Sequence, residues 1–217
     1  MSAMRRLSLL IVCLLALAGC EDRAPAEKAA YPLPQGLQAD VEINGRSYVM
    51  SVVDVDGGLA TLQFHWKQRL VAERVQYRGL FSLSGMDGDS AFVNEIDLSL
   101  IESLFPLEVG DTLRFPGVLR RPAQDRSAPF RTSLEIVGDS EVTLMGGSFD
   151  VLDIRIVTEI MHESGVRRQI RELAYSPELG LPLKMQVRNG ENYAKWRILR
   201  IDMPARGRRN RLGTVMI

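Results

Sequence analysis

Residues 146–160 read Gly-Gly-Ser-Phe-Asp-Val-Leu-Asp-Ile-Arg-Ile-Val-Thr-Glu-Ile. Leu152, Ile154, Ile156 and Ile160 alternate with Asp153, Arg155 and Glu159. That period of two puts one set on each side of an extended chain, so the segment is a half-buried strand opened by a Gly146-Gly147 turn. A short strand is expected before the turn, at Val142 to Met145. After it, Glu163-Ser164-Gly165 reverses the chain into a polar strand from Val166 to Tyr175. The loop Pro177-Glu178-Leu179-Gly180 then leads to a strand with Leu181, Leu183, Met185 and Val187 on one face. Asn189-Gly190 is a strong hairpin signal, because a type I′ turn needs positive φ at both central residues. A last strand carries Ala194, Trp196 and Ile198 opposite Lys195 and Arg197.

The same pattern runs upstream. Val41 and Ile43 alternate with Asp40, Glu42 and Asn44; after Asp56-Gly57-Gly58, Leu62, Phe64 and Trp66 alternate with Thr61, Gln63 and His65. A third strand follows Lys67-Gln68-Arg69, with Val71, Val75 and Tyr77 on one face and Ala72, Arg74, Gln76 and Arg78 on the other. Between the halves, Ile96, Leu100, Ile101 and Leu104 fall at helical spacing and Pro106 ends the run, which predicts one short helix near Asn94 to Phe105. One helix cannot cover a parallel sheet. The expected fold is therefore mainly β: a curved antiparallel sheet or half-barrel with one short helix, closed over by a long connection from Phe115 to Thr132.

The front of the chain is different. Arg5 and Arg6 precede an apolar run from Leu7 to Ala18, the order of a secretory signal. The run is too short to span a bilayer, which takes about 20 residues. Its end, Leu17-Ala18-Gly19-Cys20, resembles the lipobox of bacterial lipoproteins. That resemblance implies cleavage before Cys20, lipidation of Cys20 and a membrane as partner through the acyl anchor. The residue after Cys20 is Glu21; in lipoproteins an Asp there favours retention in the inner membrane, so the expectation is the outer membrane, facing the periplasm, with the inner membrane as the alternative. The expected organisation is a signal peptide at 1–19, an acylated Cys and tether at 20–36 containing Pro25, Pro32 and Pro34, one antiparallel β domain at 37–204, and a basic tail at 205–217. Cleavage would lower the 27 basic residues by Arg5 and Arg6 against 27 acids, for a net charge of about −2. Near-neutrality gives no reason to expect nucleic acid as a partner. With Cys13 removed and Cys20 acylated, no disulfide would form in the mature domain.

The stretch from Leu104 to Arg114, Leu-Phe-Pro-Leu-Glu-Val-Gly-Asp-Thr-Leu-Arg, resembles a segment found in uncharacterised exported bacterial β-proteins. In that group a Val-x-x-x-Gly-x-Phe-Asp strand pair and an aromatic-x-Pro-x-x-Gly loop follow. Here these read Val142 to Ile154 and Tyr175-Ser-Pro177-Glu-Leu-Gly180. The resemblance implies a curved sheet similar to those of periplasmic lipoprotein carriers, and no activity or catalytic residue.

No motif carries recognisable chemistry. His65 and His162 are the two histidines, far apart in sequence and without a metal-ligand spacing. Gly-x-Ser-x-Gly is missing, and Asp54, Asp56, Asp87 and Asp89 sit beside glycines as turn residues do. The expectation is a non-enzymatic protein without metal or cofactor, binding an acyl chain or an envelope protein. Leu62, Phe64, Trp66, Ile154, Ile156 and Trp196 are the candidate apolar ligand face, and the same residues would equally make a plain core. Arg206, Arg208, Arg209 and Arg211 either contact lipid head groups or form a solvated tail. Two alternatives stand beside this: an envelope hydrolase using one of the histidines, and a scaffold that recruits a partner strand at a sheet edge. Oligomeric state is left open.

Overall fold

The computed structural model describes residues 30–87 and 90–204. Within them the chain is a succession of strands: β1 (Gln38–Ile43), β2 (Arg46–Asp56), β3 (Leu59–Trp66), β4 (Arg69–Tyr77), β5 (Phe81–Asp87), β6 (Ser90–Ile96), β7 (Thr112–Arg121), β8 (Arg126–Leu144), β9 (Gly147–His162), β10 (Gly165–Ser176), β11 (Leu181–Asn189) and β12 (Asn192–Asp202). A single α-helical turn, α1 (Leu98–Glu102), lies between β6 and β7. Each strand pairs antiparallel with its sequence neighbours, and β1 also pairs with β12 from Gln38↔Asp202 to Ile43↔Trp196. The sheet is thus a closed up-and-down barrel, more complete than the expected curved sheet or half-barrel. The first and last strands satisfy each other's open backbone groups, so the described sheet keeps no free edge for strand addition.

Short connections hold neighbouring strands together. Asn44 and Gly45 both have positive φ, 50° and 77°, as a type I′ turn requires. At the other strong turn signal, Asn189 is still paired with Asn192, which makes Gly190 and Glu191 the central residues; Gly190 alone has positive φ, 60°. The turn lies one residue later than the sequence pattern suggested.

The expected connection from Phe115 to Thr132 is in fact the β7–β8 hairpin. Its prolines hid it. Pro116 precedes the part of β7 paired with β6, which begins at Gly117, and Pro129 precedes the part of β8 paired with β9, which begins at Phe130. Each proline therefore sits where the strand has a neighbour on one side only, and no ladder N–H is lost. The expected helix is shortened for a related reason. Asn94 to Ile96 continue β6, and Asp97 begins α1 by accepting a hydrogen bond from the Ser99 amide at 2.9 Å.

A bulge at Val137 changes the inward set of β9. Ile136 pairs with Ile154, but beyond the bulge Gly138 pairs with Asp153. Ile154 and Ile156 therefore face the interior on one side of it, whereas Val151 is buried on the other and Leu152 is only half-buried. There the hairpin bends across the barrel end, and the Met145 amide donates to the Leu199 carbonyl at 3.0 Å. Val142, Leu144 and Val151 join the core formed by Val41, Met50, Leu62 and Ile198.

The same end is covered further by α1 and by residues 31–37. Leu33 and Leu37 are buried and the Gly36 amide donates to the Val52 carbonyl, so residues 31–36, assigned to the tether from composition, belong to this lid. Tyr31 Oη donates to the Gly180 carbonyl at 2.9 Å, and Tyr175 Oη to the Arg78 carbonyl at 3.0 Å. Burial pushes both phenols' pKa values up. Arg78, itself buried, donates through Nε to Glu102 Oε2 at 3.2 Å and lies over the Phe105 ring, which ties α1 to the barrel. Ile101 and Leu104 then pack under Tyr77, Phe81 and Phe115 in a second cluster with Ile154 and Ile156.

The barrel wall is charged on its outside, with ion pairs Arg120–Glu95, Arg197–Glu42 and Arg200–Asp40. A membrane-spanning barrel has an apolar band outside and a polar interior. Here exposed ion pairs stand on the outer wall.

Gly79 tests the lid. Its φ is 69°, and a Cβ there would lie 2.2 Å from the Gly180 carbonyl oxygen. Gly79→Ala is expected to destabilise the barrel by about 2 kcal/mol or more, read as a lower urea midpoint at unchanged slope.

Candidate functional site

At the end opposite the lid the barrel is open between its hairpins, and a cavity of about 300 Å³ runs into it between β5 and β11. Antiparallel partners share a face, so register gives its layers. Nearest the mouth lie Gly117, Phe130, Ile160 and Arg167; next come Phe115, Thr132, Thr158, Gln169 and Asn189; below them are Leu113, Leu134, Ile156, Arg171 and Val187. From Arg167 to Arg171 is four residues, roughly 13 Å of strand.

One wall is apolar. The Phe81 and Phe115 rings meet edge to face, 5.3 Å between centroids and 79° between planes. Phe130 lies against Gly117: a Cβ on that glycine would come within 2.3 Å of the ring, so glycine lets the aromatic ring lie close to the strand. Ile96, Leu119 and Ile160 complete this side.

The other wall is polar and cationic. Inward residues of β10 run Arg167, Gln169, Arg171, Leu173, Tyr175 from mouth to base, and Arg121 of β7 joins them at the rim. Arg167 Nε donates to Asn189 Oδ1 at 2.7 Å, and Thr132 and Thr158 share a hydroxyl hydrogen bond at 3.0 Å. No carboxylate lines this cavity. Among the described residues, Arg121, Arg167 and Arg171 make no ion pair.

Arg171 is the unusual group. Its rung is otherwise apolar, its Nη1 donates to the Leu80 carbonyl at the long distance of 3.3 Å, and its buried Nε has no hydrogen-bond partner. The residue is half-buried and lines the cavity. Burial lowers its pKa to about 10, which leaves it charged at neutral pH. A charged donor in such a place invites an anion. In the sequence Val166 to Tyr175 is a polar strand; the signal for the site is that Arg167, Gln169 and Arg171 share parity with Leu173 and Tyr175, which are core.

The six residues expected to form one ligand face are distributed otherwise. Leu62 and Phe64 are buried in the cluster beside β1 and β12, with Trp196 packed against it, and Ile154 and Ile156 are in the other cluster. Trp66 is 41% exposed beside the Lys67–Gln68 turn, with Lys67 Nζ 4.8 Å from its ring centroid. None of the six is on the cavity wall; Ile156 lies in the Arg171 rung at its base. The reason is parity: positions that alternate correctly in a closed barrel point to its packed axis, and the cavity begins only where polar residues take those positions. Arg74 illustrates this on β4. It pairs with Leu62, shares its inward face, and stacks on Phe92 at 5.2 Å.

His65 is paired with Val49 and Leu70, His162 is exposed at the end of β9, and neither forms a hydrogen bond with a serine or carboxylate among the described residues. No group of three His, Cys, Asp or Glu able to hold a metal occurs among the described residues. Cys20 and Arg206, Arg208, Arg209 and Arg211 lie outside the described residues.

No family model matches the chain, and no curated protein matches it in sequence. Its fold is similar to that of YmcC, a hypothetical lipoprotein of Escherichia coli K12, at a TM-score of 0.54 and 10% identity over 80% of this chain and 89% of the other. It is similar also to an exported protein with a YmcC-like fold from Bacteroides fragilis, at a TM-score of 0.51 and 13% identity over 82% and 100%. These likenesses establish a shared fold.

Arg171, with its buried Nε unpartnered, should weaken the barrel. Arg171→Met, of similar length and apolar, is expected to raise unfolding free energy by about 1–3 kcal/mol in urea titrations, where loss of an ordinary structural arginine would lower it.

Proposed function

We propose that the protein is a lipid-anchored envelope lipoprotein whose barrel is a non-enzymatic binding module for an acyl chain, received in the cavity at the open end. The observation that carries this reading is the cavity: one wall is aromatic and aliphatic, the other offers unpaired donors, and no nucleophile–base pair faces it. Binding sites are concave and largely apolar with a few placed polar groups, and this one is at the small end of the usual size range.

The anchor rests on the Leu17-Ala18-Gly19-Cys20 sequence, and YmcC, described as a lipoprotein, agrees with it. Several acyl chains on Cys20 would hold the protein firmly, since each buried methylene contributes about 0.8 kcal/mol. Glu21 in place of Asp favours the outer membrane, facing the periplasm, and the outward charges of the barrel suit it to an aqueous compartment.

Two measurements test this. Mass spectrometry of the purified chain should find diacylglycerol on Cys20, and Cys20→Ser should move the protein out of the membrane fraction; an unmodified Cys20 would refute the anchor. Organic extraction of the natively purified full-length protein should release a stoichiometric acyl compound, the covalent anchor remaining on the chain. An empty extract would count against an acyl ligand and direct crosslinking towards envelope proteins.

A further inference from the structure

We infer that the ligand is a single-chain anionic amphiphile, bound with its acid group against the Arg171 guanidinium at the cavity floor and its chain along Phe130 and Ile160 towards the mouth. This rests on the reading of the cavity as a binding site and adds the ligand's charge and orientation. The argument is one of unmet demand. Arg171 stands in an apolar rung with Nε unpartnered and one long bond to Leu80, and no carboxylate among the described residues lines the cavity to answer it. A carboxylate or phosphate against the cavity-facing part of the guanidinium would accept a charge-assisted hydrogen bond from it. Above it one wall is Phe115, Phe130 and Ile160, which can hold hydrocarbon. Arg121 and Arg167 at the rim make the way in electropositive, which raises the rate of capture of anions over neutral lipids. The depth, roughly 13 Å from the Arg167 rung to that of Arg171, suits a chain of medium length.

The test is equilibrium dialysis of the full-length protein in lipid nanodiscs against radiolabelled octanoate and octanol, with protein-free nanodiscs subtracted. The wild type should bind octanoate near one per chain and more tightly than octanol. Arg171→Gln should weaken octanoate about tenfold or more while leaving octanol within about twofold, and Arg171→Lys should keep part of the octanoate affinity. Circular dichroism and urea midpoints establish that each variant is folded. Octyl phosphate in parallel separates the two sources of the acid group: preference for it indicates a phosphate-headed lipid, and preference for octanoate a free fatty acid, either one supporting the anion site. Equal binding of octanoate and octanol by the wild type, or unchanged octanoate binding by folded Arg171→Gln, would overturn the inference while leaving the cavity a binding site. Failure of the wild type to bind any of the three would instead remove the binding reading itself.

Discussion

The structure depends on the pairing of β1 with β12. A meander of this length left open would expose two strand edges and, between them, an apolar face larger than one helical turn could cover. Joining Gln38–Ile43 to Trp196–Asp202 removes both problems at once, because the apolar face becomes an interior. Closure also fixes what remains to be solved, namely how to fill or cap the ends. At one end the solution is the bent β8–β9 hairpin, α1 and residues 31–37, held by the Arg78–Glu102 pair and the Tyr31 and Tyr175 hydroxyls. At the other it is left unsolved, and the cavity is the result.

How much of this could be read from the sequence follows from the range of each interaction. Alternation in Leu62–Phe64 or Ile154–Ile156 is a local consequence of burial, and the strands there are where the pattern put them. The pairing of Gln38 with Asp202 joins positions remote in sequence and leaves no local mark, so the half-barrel was the furthest that periodicity could reach. Prolines 116 and 129 pointed away from strand because their tolerance depends on which neighbour is absent, a property of the sheet rather than of the peptide. Val137 is similar: a bulge shifts the register without any residue that announces it, so the burial of Val151 beyond it does not follow from the alternation of Ile154 and Ile156.

The site was hidden for a different reason. Apolar alternation marks core first, and Leu62, Phe64, Ile154 and Ile156 are buried in it while Trp66 stays exposed. The cavity is marked by inward positions that are polar, Arg171 above all, and these are local violations of the folding pattern. Such violations are expected where function and stability conflict. In β10 the change from Leu173 to Arg171 marks the boundary between the packed part of the barrel and the cavity.

The lid has a consequence for traffic. With one end filled by two packed clusters, the barrel is a cul-de-sac rather than a conduit. Whatever occupies it must leave by the opening through which it came, so loading and unloading are the same path run in opposite directions. On the proposed binding reading, the barrel would hold one ligand at a time and pass it on only when the same mouth met a donor and then an acceptor.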